Sequence, residues 1–232
     1  LVEIKGLEKF APKDFVGFIS STVFLGGCNF RCPFCHNSDL VLKPQTLPTF
    51  PMDYFTSYLD SRKGWLEGVC ITGGEPLIHN DLESLLILIK KRGLLVKIDS
   101  NGSFPSRLEK LIKKKLIDRI AMDVKAPLER YQEVTVSNIQ EEKITRSINI
   151  IKNSGLEYIF RTTVVPDLIG PEDIKKIVQM LDGAKVYQIQ QFSPVNPIDS
   201  RYLKKKPYSR EKIQGFVKIA KPHFSEVRME GV

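Results

Sequence analysis

The densest reactive stretch in the chain is Gly26-Gly27-Cys28-Asn29-Phe30-Arg31-Cys32-Pro33-Phe34-Cys35-His36-Asn37. Cysteines in C-x3-C-x2-C spacing can serve as thiolate donors for an inorganic centre. Fully extended, the steps from Cys28 to Cys35 would span roughly 23 Å, so the sulfurs meet on one centre only if the loop curls back. The residues suit that curl: Gly26 and Gly27 permit positive φ, Pro33 presets a turn dihedral, and Asn29 and Asn37 tolerate left-handed backbone. Thiolates from Cys28, Cys32 and Cys35 are one donor short of a closed four-cysteine site. An iron–sulfur cluster so held keeps one iron open, whereas a structural zinc needs a fourth protein ligand. His36, directly after Cys35, and Cys70, inside an apolar run, are the zinc candidates, and redox thiols without metal are a further reading. The spacing favours the open cluster and leaves the other two standing.

Four more polar groupings lie downstream. Thr72-Gly73-Gly74-Glu75-Pro76 combines glycines that let backbone approach a ligand with a carboxylate that accepts from an amine. Asp99-Ser100-Asn101-Gly102 is both a polar cluster and an ordinary Asn-Gly turn. In Met122-Asp123-Val124-Lys125, strand alternation puts Asp123 and Lys125 on one side, which a surface ion pair would also explain. Arg161, next to Thr162 in an apolar run, must meet an anion or reach water, because an unpaired buried guanidinium is very costly. Each grouping alone has a purely structural explanation. Together, beside an open iron, they could hold a zwitterion, and S-adenosylmethionine meets that demand.

Positioning these groups requires strands that end on a common rim. Residues 18–25 form the first expected strand, directly before the cysteine loop, and 36–50 is irregular, with Pro44 and Pro48 breaking any helix. Helices near 51–61, 81–92, 105–115, 139–154 and 171–181 then alternate with strands at 68–72, 94–99, 118–124, 158–165 and 185–191. Asn80 or Asp81 caps the second helix and Gly93 closes it; Pro171 opens the last crossover helix. Six strands separated by helices call for an α/β fold with a parallel sheet and crossover connections, whose sites lie at the strands' carboxyl ends. Residues 1–16 are a lead-in, a short hairpin or cap, and 193–210 is the most mobile stretch, before a last helix near 209–220.

The 232 residues suit one domain, taken here as 1–232. Neither a secretory pattern at the N-terminus nor an apolar run of membrane-spanning length is present, so a cytoplasmic protein without a membrane role is expected. The formal charge of +8 favours anionic partners. The runs Lys113-Lys114-Lys115 and Lys204-Lys205-Lys206 lack interleaved aromatics, which argues for solvated faces, or docking of an acidic protein, over nucleic acid. With three histidines in the chain, no general base stands out, and no side chain is assigned as catalytic. His79 reads as a surface residue.

On these motifs the chain resembles the radical S-adenosylmethionine superfamily, whose Cys-x3-Cys-x-aromatic-Cys hallmark it carries with Phe34 as the aromatic residue. It resembles more closely the glycyl radical enzyme activating proteins, in particular the compact activators of anaerobic ribonucleoside-triphosphate reductase. That likeness runs from Lys5-Gly6-Leu7 through Cys35-His36-Asn37, Gly73-Gly74-Glu75-Pro76, Asp99-Ser100-Asn101-Gly102, Asp123-Val124-Lys125 and Arg161 to about Pro194. The resemblance implies a partial (β/α)6 TIM-like barrel of parallel strands. It implies that Cys28, Cys32 and Cys35 bind a 4Fe-4S cluster, with Phe34 near adenine and Gly73, Gly74 and Glu75 at the methionyl amine. Asp99 and Ser100 join the cofactor-binding set, Lys125 and Arg161 lie near carboxylate or ribose, and Asp99 and Asp123 help hold a monovalent cation. The implied partners are a glycyl radical enzyme and an external one-electron reductant such as flavodoxin or ferredoxin.

The chain departs from that group at Asp14-Phe15-Val16-Gly17, where Asp-Tyr-Pro-Gly is common, and it has too few cysteines for a ferredoxin-like insertion. No motif matches after residue 194. Two other functions remain open from sequence: the same cofactors acting on a small molecule or RNA, as in deazapurine or tRNA modification, and a zinc-stabilised or electron-carrying protein without catalysis.

Overall fold

A computed structural model describes residues 2–231; Leu1 and Val232, the ends of the expected domain range, lie outside the described residues. Contacts divide the chain into two compact units. The first comprises Leu1–Asn29, Asp39–Ser100 and Ser106–Ile120, and the second Phe30–Ser38, Asn101–Pro105 and Ala121–Val232.

In the first unit, β2 (Ser20–Leu25) is buried along almost its whole length. A strand buried on both faces suits a parallel sheet covered by helices, and β2 pairs parallel with β3 (Gly68–Gly73), in register from Ser20 opposite Gly68 to Leu25 opposite Gly73. In turn β3 pairs parallel with β4 (Leu95–Ser100). The lead-in forms β1 (Ile4–Glu8), antiparallel to β2 with an irregularity between Ile4 and Gly6. After the cysteine loop come α1 (Ser38–Leu42) and α2 (Met52–Ser61); α1 lies in a stretch expected to be irregular. The helix α3 (Leu82–Lys90) buries Leu82, Leu85, Leu86 and Ile89, the stripe that its 3.6-residue periodicity demands. Asp81 sits at its N-cap without a side-chain cap bond, while Asn80 Oδ1 instead accepts from Arg107 Nη2 at 2.5 Å. Arg107 belongs to α4 (Pro105–Lys113).

The strand β5 (Arg119–Asp123) begins in the first unit and ends in the second. At its start Asp118 N–H donates to Val96 O at 2.8 Å, and just past its end Val124 N–H donates to Arg161 O at 2.7 Å. The second unit continues through α5 (Tyr131–Thr135), α6 (Glu141–Lys152), β6 (Glu157–Val164), α7 (Pro171–Met180), β7 (Val186–Gln191), α8 (Arg210–Ala220) and β8 (Glu226–Glu230). Here β6, β7 and β8 are parallel neighbours in chain order. Pro171 opens α7 as expected, with Glu172 and Asp173 in its first turn and Gly170 N–H donating to Asp173 Oδ2 at 2.8 Å.

Sequence periodicity placed the long helices and strands to within a few residues and missed β8 and α5. The strand β8 is mostly exposed and its Glu226-Val227-Arg228-Met229-Glu230 has little apolar signal; only pairing with β7 makes it a strand. The five-residue α5 is too short to show a helical stripe. In the tail, Ser200–Lys204 forms a 3₁₀ helix, and Asp199 N–H donates to Pro33 O of the cysteine loop at 2.9 Å.

Candidate functional site

In the first unit the start of the cysteine loop, at Gly27, and the Gly-Gly-Glu turn lie against each other. Gly74 N–H donates to Leu25 O and Glu75 N–H to Gly27 O, each at 2.8 Å. This approach requires glycine, since a Cβ on Gly74 would lie 1.8 Å from Gly27 O. Gly73, at φ +112°, would put a Cβ 2.5 Å from Leu25 O. Glu75 is 1% exposed, and its Oε1 accepts from Leu77 N–H at 3.0 Å and from Ser100 Oγ at 2.9 Å. The carboxylate therefore shapes the 3₁₀ turn Pro76–Ile78 and ties it to the end of β4. His79 is half-buried rather than on the surface, because its Nε2 donates to Gly26 O at 2.9 Å; burial lowers the imidazole's pKa below its usual value.

Behind this turn, β3 and β4 carry a polar cluster that the sequence reading overlooked. Cys70 and Lys97 are register partners, and Lys97 and Asp99 share a strand face. Lys97 Nζ is ion-paired with Asp99 Oδ1 and lies 3.6 Å from Cys70 Sγ, which itself donates to Asp99 Oδ1 at 3.7 Å. Cys70 is wholly buried, in keeping with a core position. The missed signal was a lone lysine in the apolar run Leu94-Leu95-Val96-Lys97-Ile98, two residues before an aspartate.

The second unit holds the rest of the cysteine loop. Cys35 N–H donates to Cys32 O at 3.0 Å, the tight turn that Pro33 favours, and Arg31 N–H donates to Thr135 O at 2.8 Å. Cys32 and Phe34 are buried, Cys35 is half-exposed, and Cys28, at the loop's start in the first unit, is half-exposed as well. At the end of β5, Asp123 Oδ1 accepts from Arg161 Nε at 2.9 Å and its Oδ2 from Lys125 Nζ at 3.0 Å. The anion that Arg161 requires is thus a carboxylate of the chain itself. Burial pushes the Asp123 carboxyl up, but Arg161 and Lys125 more than reverse this and hold it well below the usual carboxylate range. Burial likewise disfavours the Lys125 ammonium, and Asp123 outweighs it, leaving the lysine's pKa raised. Tyr131, fully buried, donates its hydroxyl to Asp123 O at 3.3 Å, and burial keeps its phenol protonated. Asn101 Oδ1 accepts from Ser103 N–H and Oγ, while Gly102, at φ +75°, would drive a Cβ to 2.1 Å from Met122 Cε.

All four cysteines are free thiols. Among the described residues no group of three or more His, Cys, Asp or Glu side chains is placed to hold a metal ion by itself, so the ligand set rests on the loop's spacing and chemistry. The donors suit an iron–sulfur cluster in kind, since cysteine thiolates are its usual ligands, and Gly27 before the first of them packs against a turn that only glycine permits. A monovalent cation fits less well, because Asp99 and Asp123 each already face a lysine from their own segment.

Comparison with known proteins bears on the family of the chain. Residues 22–182 match the sequence profile described as the Radical SAM superfamily. A Methanocaldococcus jannaschii protein provisionally named a glycyl-radical enzyme activating enzyme is 33% identical over 230 residues, which is 97% of this chain and 94% of that protein. Pyruvate formate-lyase-activating enzyme of Listeria monocytogenes is 28% identical over 200 residues, 80% of this chain and 79% of that enzyme. Among solved structures, Streptococcus suis SuiB bound to S-adenosylmethionine superposes with a TM-score of 0.67 at 18% identity. That match covers 89% of this chain, which spans about half (48%) of SuiB and shares its α/β fold.

Proposed function

Since the chain belongs to the radical SAM superfamily, we propose that it is an activating enzyme that installs a glycyl radical on a partner protein, with anaerobic ribonucleotide reductase the leading candidate. It is a radical SAM enzyme, and such enzymes use a 4Fe-4S cluster and S-adenosylmethionine. When bound, these supply reductive cleavage of the sulfonium to methionine and a 5′-deoxyadenosyl radical, which takes the α-hydrogen of a glycine, one electron entering from flavodoxin or ferredoxin.

The chain's own residues bind, orient and exclude water. Cys28, Cys32 and Cys35 would hold the cluster. Gly73 and Gly74 would bring backbone to the methionyl amine, and Glu75 holds that backbone in place through Leu77 and Ser100. Phe34 would lie near adenine. Asp99 and Ser100 would serve the cofactor from β4, and Lys125 and Arg161, each held by Asp123, would serve its carboxylate or ribose. The whole chain acts as one domain in the cytoplasm; among the described residues no helix is long and apolar enough to cross a membrane.

The observation that carries this reading is the close packing of the Gly73-Gly74-Glu75 turn on the cysteine loop, which sets a ligand-binding backbone beside the first expected cluster ligand. The test is anaerobic reconstitution followed by reduction with S-adenosylmethionine present. Release of 5′-deoxyadenosine, and a protein-based radical on an added glycyl radical enzyme, is the expected result. Colourless protein with one zinc and no sulfide would sink the proposal, and hydrogen abstraction from a nucleotide or RNA would reassign the substrate.

A further inference from the structure

Lys97 and Cys70 have no part in the activity as derived so far, yet both contact the Asp99 carboxylate in the first unit. The Lys97 side chain is 7% exposed and that of Asp99 13%. A buried ion pair seldom stabilises a fold more than apolar residues of the same volume would, so its use here points to placement of a group. What is placed is Asp99. Its carboxylate is pinned by Lys97 Nζ and by the Cys70 thiol from the adjacent strand, and the next residue, Ser100, donates to Glu75 at 2.9 Å. Lys97, Asp99, Ser100 and Glu75 therefore form one connected set leading to the Gly-Gly-Glu turn.

The same geometry bears on the expected monovalent cation. Asp99 already meets an ammonium two residues back along its strand, and Asp123 already meets Lys125 two residues on and Arg161 of β6. Positive charge is built into the chain at both carboxylates. We propose that Lys97 is a positioning residue whose ammonium fixes Asp99 and stands in for the alkali cation, so that cofactor binding here needs no added monovalent ion.

This inference rests on the reading of the chain as an S-adenosylmethionine-binding enzyme. The experiment measures equilibrium binding of S-adenosylmethionine to the reconstituted holoprotein in potassium, sodium or tetramethylammonium chloride at fixed ionic strength. Wild-type affinity should vary by less than about twofold among the salts. Lys97→Met should keep its iron and sulfide but bind about tenfold more weakly in tetramethylammonium, and recover affinity when potassium or sodium is supplied. Should the buried carboxylate prevent that variant from folding, the double variant Lys97→Met/Asp99→Asn removes the orphan charge. It should fold, load its cluster, and bind weakly in every salt. A wild-type protein that loses affinity without alkali ions overturns the proposal, as does either variant binding as wild type does in tetramethylammonium. If wild type binds no S-adenosylmethionine in any salt, the cofactor reading falls and this proposal with it; binding that Lys97→Met leaves intact removes this proposal alone.

Discussion

Asp123 shows how one residue's surroundings become a measurable stability. Its folded-state pKa is depressed below the unfolded value of about 3.9, so its contribution is fully present above that value and is lost as pH falls through the folded pKa. Lys125 behaves in the opposite sense, its raised pKa giving stability that is present below about 10.4 and lost as pH rises through the folded value. The group is therefore intact across the neutral range. Asp123→Asn should lower the unfolding free energy of the apoprotein by about 3–5 kcal/mol at pH 7 and remove this part of its acid sensitivity. Urea melts between pH 7 and pH 3 check both effects, and identical acid slopes in the two proteins would rule out this role. The cysteines separate by neighbourhood: Cys32→Ala should lose iron and S-adenosylmethionine cleavage together, whereas Cys70→Ser, outside the loop, should retain both. Glu75→Gln preserves an acceptor for Leu77 and Ser100 and should bind cofactor nearly as wild type does, while Glu75→Ala should bind about tenfold more weakly with normal iron content. Equal losses in the two variants would mean that the negative charge, and not the turn, is what matters.

At the scale of elements, the site depends on how closely β3 and the cysteine loop approach. Gly74→Ala puts a methyl group into a backbone carbonyl, which no rotamer change can relieve. A destabilisation of about 3 kcal/mol, the upper end of what overpacking produces, is expected together with loss of cofactor affinity. Gly64 is the control: its φ is +84° but nothing lies within 4 Å of an added Cβ, so Gly64→Ala should lose only about 1 kcal/mol. Thermal melts rank the two. The order of strands and helices was legible in the chain because periods of 2 and 3.6 are local properties, as the Leu82, Leu85, Leu86 and Ile89 stripe illustrates. The Asp123–Lys125 pair was legible from strand alternation, but the pairs that involve Lys97 and Arg161 were not. Arg161 plainly needed an anion, but nothing local to it identified Asp123, 38 residues earlier.

For the molecule as a whole, charge is unevenly spread along the chain. Residues 193–210 carry Arg201, Lys204, Lys205, Lys206 and Arg210 against the single acid Asp199. This segment reaches the cysteine loop through Asp199 N–H and Pro33 O. Of its tyrosines, Tyr202 packs edge-on against Phe192 with Lys205 Nζ over its ring, and Tyr208 packs edge-on against Phe216 and donates to Ile169 O. Changing Arg201, Lys204 and Lys206 together to Glu should leave cleavage of S-adenosylmethionine in the absence of partner unchanged. The same change should slow radical installation on an acidic glycyl radical enzyme, most at low salt. Quantifying 5′-deoxyadenosine and partner radical in parallel distinguishes the two steps, and equal slowing of both would show that the segment does not act on the partner. By itself, the sequence determined the thiolate spacing, the alternation of strand and helix, and the polar residues at successive strand ends, all of which are written over a few neighbouring positions. Only the tertiary structure decided that Glu75 braces a turn, that Lys97 lies under Asp99, that Asp123 answers Arg161, and that the tail meets Pro33. Apart from Lys97 and Asp99, which share β4, those pairings join residues from different elements, and a buried charge takes whichever counter-charge folding delivers to it.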